Sequence, residues 1–276
     1  MLNKFEYKGA AVAYQYYQQQ AAPAGCLVFI HGFASRGTVF NFQVEALKDQ
    51  FHILVADLPG SGASELNPHF NSLEDYAALM LALMDHVGLE QVFVFGHSMG
   101  GYIALSLAQI CPERIRGLGL VHSTAFADNE EKKINRLKAI RLMECHGVAP
   151  FLKTMIPALF GEAFKAAHPE SIDALLEENM DFKAATLQHY YQIMHDRRDK
   201  AEQLKSLPMP FLFVSGSEDK AAPATDLIQQ ASLPTTAMIE ILAGAGHMGL
   251  VEQPEKLTQI LASFTKLVKS LKLEQL

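Results

Sequence analysis

Short apolar runs rich in β-branched and aromatic residues recur along the chain, and most of them do not alternate with polar residues. Such runs are predicted as strands over 5–7, 12–17, 26–30, 53–56, 91–95, 117–121, 210–214 and 238–242. Between them, apolar residues recur at helical spacing, which predicts helices over 39–48, 101–108 and 254–271. Another helix, running to about residue 87, is announced by Ser72-Leu73-Glu74-Asp75, which reads as a capping box. Continuous apolar strands alternating with amphipathic helices imply an α/β fold whose mainly parallel sheet is covered on both faces. The first two runs, joined by a short turn, suit an antiparallel edge.

The rhythm breaks between residues 126 and 207, where helices are predicted over 129–146, 148–160, 171–180 and 186–197 with no strand among them. The segment is too long for a loop. Set between two core strands, on the carboxyl side of the sheet, it is expected to lie as a helical cap over a ligand site. The core is then formed by 1–125 and 208–276. The competing reading is a helical subdomain that only packs.

With 276 residues, 49% of them hydrophobic, the chain can bury a substantial core. A formal net charge of −7 without long like-charge runs argues against nucleic acid or an anionic membrane as partner. The opening residues lack an apolar stretch of signal-peptide length and no later stretch could span a bilayer, so a cytoplasmic location is expected. Cys26, Cys111 and Cys145 are an odd, widely spaced set, which supports neither a disulfide framework nor a metal site. Reduced thiols are expected, with Cys26 buried in a strand.

Ser98 stands in Gly96-His97-Ser98-Met99-Gly100, between an apolar run and a helical stretch. This is the pattern of a nucleophile elbow, in which small neighbours let strand and helix close around a strained corner. A serine hydroxyl needs a base, and the base needs an orienting acid. His247, in Gly244-Ala245-Gly246-His247, follows the last strand, and Asp219 follows the strand before it. Both therefore fall at carboxyl ends of strands, on the edge where Ser98 lies. Glu218 and, more weakly, Asp128 rival Asp219 as the acid. The backbone amides of Phe33 and Met99 are the natural donors to an oxyanion. His31 and His97 read as structural histidines, while His52 and His122 carry no clear signal. The two glycines in Asp57-Leu58-Pro59-Gly60-Ser61-Gly62-Ala63-Ser64 complete neither a dinucleotide fingerprint nor a Walker motif, and a tight loop beside the site is the better account.

In this order, His31-Gly32-Phe33, the Asp57–Ser64 segment, Gly96-His97-Ser98-Met99-Gly100-Gly101, Asp219 and Gly246-His247 resemble a capped α/β-hydrolase over nearly the whole chain. The resemblance implies an eight-stranded sheet with an antiparallel second strand and a helical cap after the sixth strand. Epoxide hydrolases and dehalogenases of that family place an aspartate where Ser98 stands, so those activities are not expected. The expected activity is hydrolysis of small to medium, partly apolar carboxylic esters through an acyl-enzyme on Ser98, with no metal or organic cofactor. Phe126, Phe151, Met155, Leu159 and Phe160 are candidates for the substrate pocket. A carbon–carbon hydrolase or lactonase with the same triad, and a ligand receptor on a hydrolase scaffold, are the alternatives. The expected partner is a small-molecule substrate, with no nucleic acid or membrane, and the chain is expected to be a monomer or homodimer.

Overall fold

The predicted strands assemble into one sheet. The computed structural model describes residues 2–19, 23–67 and 69–273. Along the chain run β1 (Leu2–Tyr7), β2 (Ala10–Tyr17), β3 (Cys26–Ile30), α1 (Asn41–Leu47), β4 (His52–Ala56), α2 (Leu73–His86), β5 (Val92–His97), α3 (Met99–Ile110) and β6 (Ile115–Val121). Then follow α4 (Glu130–His146), α5 (Val148–Ala158), α6 (Glu162–Ala167), α7 (Pro169–Asn179), α8 (Ala184–His195), β7 (Phe211–Gly216), α9 (Ala224–Ala231), β8 (Ala237–Leu242), α10 (Gly249–Glu252) and α11 (Pro254–Leu273).

The eight strands lie in the order β1-β2-β4-β3-β5-β6-β7-β8. β2 is antiparallel to both neighbours, and the remaining pairs are parallel. Every residue of β5 and of β7 is buried, because helices cover both faces of the central strands. Successive side chains point to opposite faces, and two cores result. Val28, Val94 and Phe213 belong to the core shared with α2 and α3. Leu27, Phe29, Phe93 and Val214 belong to the one shared with α1 and α11. At the sheet edge β8 instead alternates between exposed and half-buried positions.

Ser72 does cap α2: its hydroxyl accepts from the Asp75 amide at 3.3 Å, and the Asp75 carboxylate accepts from the Ser72 amide at 3.0 Å. The short helices α6 and α9 were not legible in the pattern, since six or eight residues offer too few turns for a periodic signal. Cys26 corrects its expected burial: it opens β3 and is half-buried, whereas Cys111 is buried and Cys145 exposed, all three as free thiols. Helices α4 to α8 all fall between β6 and β7, with α4 packed on α5 and α8, and α5 on α7. Among the described residues no helix is long and apolar enough to cross a membrane.

Candidate active site

β5 passes into α3 through Ser98 alone, whose φ of 52° and ψ of −119° lie in a region that side-chain-bearing residues rarely occupy. The corner closes because its flanking glycines have no side chains. A Cβ on Gly96 would stand 2.3 Å from the Gly100 carbonyl oxygen, and one on Gly100 would stand 2.0 Å from that of Ile30. The strained residue is pinned from the end of β6 and the loop after it: the Val121 carbonyl accepts from the Ser98 amide at 3.0 Å and the Ser123 hydroxyl donates to the Ser98 carbonyl at 2.8 Å.

His247 sits in the loop between β8 and α10. Its amide donates to the Leu159 carbonyl at 2.6 Å, and Glu252 accepts from the amides of Gly246, Met248 and Gly161, so one carboxylate ties the histidine loop to the link between α5 and α6. The imidazole Nδ1 lies 3.0 and 2.9 Å from the two carboxylate oxygens of Asp219. A carboxylate only accepts, so Nδ1 carries the proton and Nε2 of a neutral His247 is left with its lone pair. Ser98 and His247 line the same cavity, of about 130 Å³.

Asp219 is buried and receives more than His247. The Ala221 and Ala222 amides donate to Oδ1 at 2.9 and 2.8 Å, and Nδ1 of His122 donates to Oδ2 at 2.9 Å. Burial pushes the carboxyl up, but the charge of His247 and the hydrogen bonds from His122 and His247 outweigh it and hold Asp219 well below the usual carboxylate range. One ring nitrogen of His122, one of His247 and a carboxylate oxygen of Asp219 lie within 4.8 Å of one another, and the two Nδ1–H donations to Asp219 account for that clustering. His122, fully buried directly after β6 with φ at 50°, had no motif around it to announce it. Glu252 was equally silent.

The rival acids are engaged elsewhere. Glu218 accepts from the Glu162 amide at 2.8 Å, and Asp128 is clasped by Arg136 and Arg197. His31 accepts the Leu58 amide on Nε2 at 2.9 Å and lies 2.9 Å from the Gly32 carbonyl through Nδ1, so it stitches the loop after β3 to the loop after β4. The Asp57 carboxylate in that second loop accepts from the amides of Gly37 and Ala63 at 2.8 and 3.0 Å. Phe33 follows β3 and lines the cavity, and its amide has no acceptor among the described residues. Met99 is the first residue of α3, where an amide has no intrahelical partner.

A model of the alpha/beta hydrolase family matches residues 27–260. The chain belongs to that family. This hydrolase is 28% identical to YugF, an uncharacterized hydrolase of Bacillus subtilis, over 96% of its own length and 98% of the relative's. It is 25% identical to a 3-oxoadipate enol-lactonase of Acinetobacter baylyi, over 95% and 96%. Among solved structures it is similar to a malate-bound thermophilic esterase from Thermogutta terrifontis, with a TM-score of 0.89, 27% identity and coverage of 97% and 99% of the two chains.

Of the five pocket candidates in residues 126–207 of this hydrolase, Met155 and Leu159 reach the cavity. Phe126, Phe151 and Phe160 stand behind its lining, which corrects the expectation for these three. Phe151 is buried edge-on against Phe33 and Tyr191, Phe160 is buried in a stack with Phe164, and Phe126 packs on the core while its carbonyl accepts from Arg197. The lining also takes residues that the sequence did not single out, among them Tyr102, Arg136, Tyr191 and Met248.

Proposed function

We propose that the chain hydrolyses carboxylic esters through an acyl-enzyme on Ser98. His247 Nε2 takes the hydroxyl proton as Ser98 attacks the carbonyl, then passes it to the leaving alcohol, and in a second round activates the water that releases the acid. Asp219 holds the imidazole in the Nδ1–H tautomer this requires. The amides of Phe33 and Met99 receive the oxyanion, aided by the positive end of α3. The observation that supports the reading best is Ser98, strained at positive φ, sharing a cavity with a histidine whose Nδ1 is bound to a buried carboxylate.

Residues 126–207 are read as a cap that sets substrate choice, since Met155, Ile156, Leu159, Leu175, Tyr191 and Met194 from its helices line the cavity with Ser98. The enol-lactonase relative keeps cyclic esters in range, because the same triad opens them. The test is fluorophosphonate labelling with a p-nitrophenyl ester series of increasing acyl length and a lactone set. Labelling at Ser98 and turnover that both vanish in Ser98→Ala support the reading. Turnover that survives in Ser98→Ala overturns it.

A further inference from the structure

An arginine lines the cavity that holds Ser98. Arg136, on α4, lines it together with Phe33, Tyr191 and His247. Its side chain is otherwise largely buried, with the guanidinium carbon 5.2 Å from the centre of the Tyr191 ring, and Tyr191 in turn stacks on Phe33 at 4.1 Å.

The charges around it do not balance. The Asp128 carboxylate, 1% exposed, binds two guanidinium groups: Arg136 through Nε and Nη2, and Arg197 through Nη1 at 2.8 Å. Arg197 also donates to the carbonyls of Met194 and Phe126, both at 3.0 Å, and lies over the face of Tyr102, 4.0 Å away, while its buried Nε has no hydrogen bond among the described residues. Arg136 is differently placed. Two of its five N–H donors go to Asp128, and Nη1 has no hydrogen bond among the described residues. Among these three groups one positive charge is in excess, and of the two arginines it is Arg136 that lines the cavity. An uncompensated charge away from bulk water is costly, and an anion in the cavity would remove that cost.

We propose that Arg136 is the specificity residue of this site and that the substrate is a small ester carrying a carboxylate within a few bonds of the scissile carbonyl. The size of the cavity agrees. At about 130 Å³ it holds roughly a benzene-sized group, so a ligand that touches both Ser98 and Arg136 within it is small. A cavity of this size that carries one forked donor recognises a short acid by its charged end and leaves little room for a long acyl chain. This narrows the small to medium, partly apolar ester expected from the sequence to one with a charged end, and it rests on the reading of Ser98 as the nucleophile.

The experiment compares kcat/KM for monomethyl succinate, with the carboxylate on the acyl side, and for acetylglycolate, with it on the alcohol side, against the neutral dimethyl succinate. Binding of succinate is followed by calorimetry, a readout that needs no turnover. One of the charged esters is expected to be preferred over the neutral one, and which one shows the side on which the carboxylate sits. In Arg136→Met that ratio is expected to fall about ten- to hundredfold and succinate binding to be lost, while Arg136→Lys, which keeps the charge but not the fork, retains part of both. A wild-type enzyme labelled at Ser98 that prefers neither charged ester overturns this proposal alone. A ratio that does not change in Arg136→Met makes Arg136 a strut between α4 and its neighbours and overturns it as well. If fluorophosphonate does not label Ser98, the ester-hydrolase reading fails, and succinate binding that depends on Arg136 still decides the anion site.

Discussion

His97 Nε2 lies 3.0 Å from the backbone carbonyl of His247, so the residue before the elbow serine also holds the loop that carries the proposed base. Burial first, then the neighbouring charges of His247 and His122, push His97 well below the ordinary histidine range. It therefore stays neutral and keeps this bond. The variant His97→Leu leaves the His247 carbonyl unpaired in a buried place and is expected to cost about 1–3 kcal/mol of stability. Denaturant unfolding read alongside turnover checks this, and turnover should fall as the loop loosens.

The same burial sets a pH dependence of stability. His97 and His31 have depressed folded-state values, so below the unfolded value of about 6.5 the unfolded chain binds more protons than the folded one. Their contribution is present above that pH and is lost as pH falls through the window beneath it. Unfolding midpoints are expected to drop from about pH 7 to 5, with a shallower slope in His97→Gln. An equal slope in the variant would remove His97 from the account.

Removing the proposed nucleophile should be decisive. Ser98→Ala is expected to abolish fluorophosphonate labelling and to cut turnover by about a millionfold, since a triad acts as a unit.

Asp219→Asn is expected to keep the fold yet lower kcat about ten-thousandfold, because an amide can stabilise the wrong imidazole tautomer. Glu218→Gln, whose parent side chain only ties down the Glu162 amide, should change kcat little. His122→Ala removes one of the donors on Asp219, and a loss of about tenfold in kcat with KM nearly unchanged is expected for a positioning role. A KM effect alone would make His122 a packing residue.

Two neighbouring residues of α5 should behave differently. Met155→Ala opens the cavity and is expected to shift the preferred acyl length, each methylene being worth about 1–3 kcal/mol. Phe151→Ala, made behind the lining at 6% exposure, is expected to cost about 3–5 kcal/mol of stability instead. Acyl-length profiles and thermal unfolding of both variants check the division.

The elbow, the order of the strands and longer helices, the placement of Ser98, Asp219 and His247 at carboxyl ends of strands, and most of the inserted helices were legible in the sequence. Each depends on local features: runs of apolar residues, glycines around a strained corner, and placement at a strand's carboxyl end. Tertiary structure alone decided which groups meet. His122 and Asp219 are 97 residues apart, and nothing near either reveals that the first donates to the second. Arg136 lies on a helix whose only buried residue is Met143, so by pattern it belongs to a solvated face. Only the packing of that helix beside the cavity turns it inward. Phe151 and Met155 sit one helical turn apart with the same apolar character, and the sequence could not tell which of them faces the cavity. Hydrophobic patterning reports that a side chain is withdrawn from water, but whether it meets protein or substrate depends on segments that are distant in the chain.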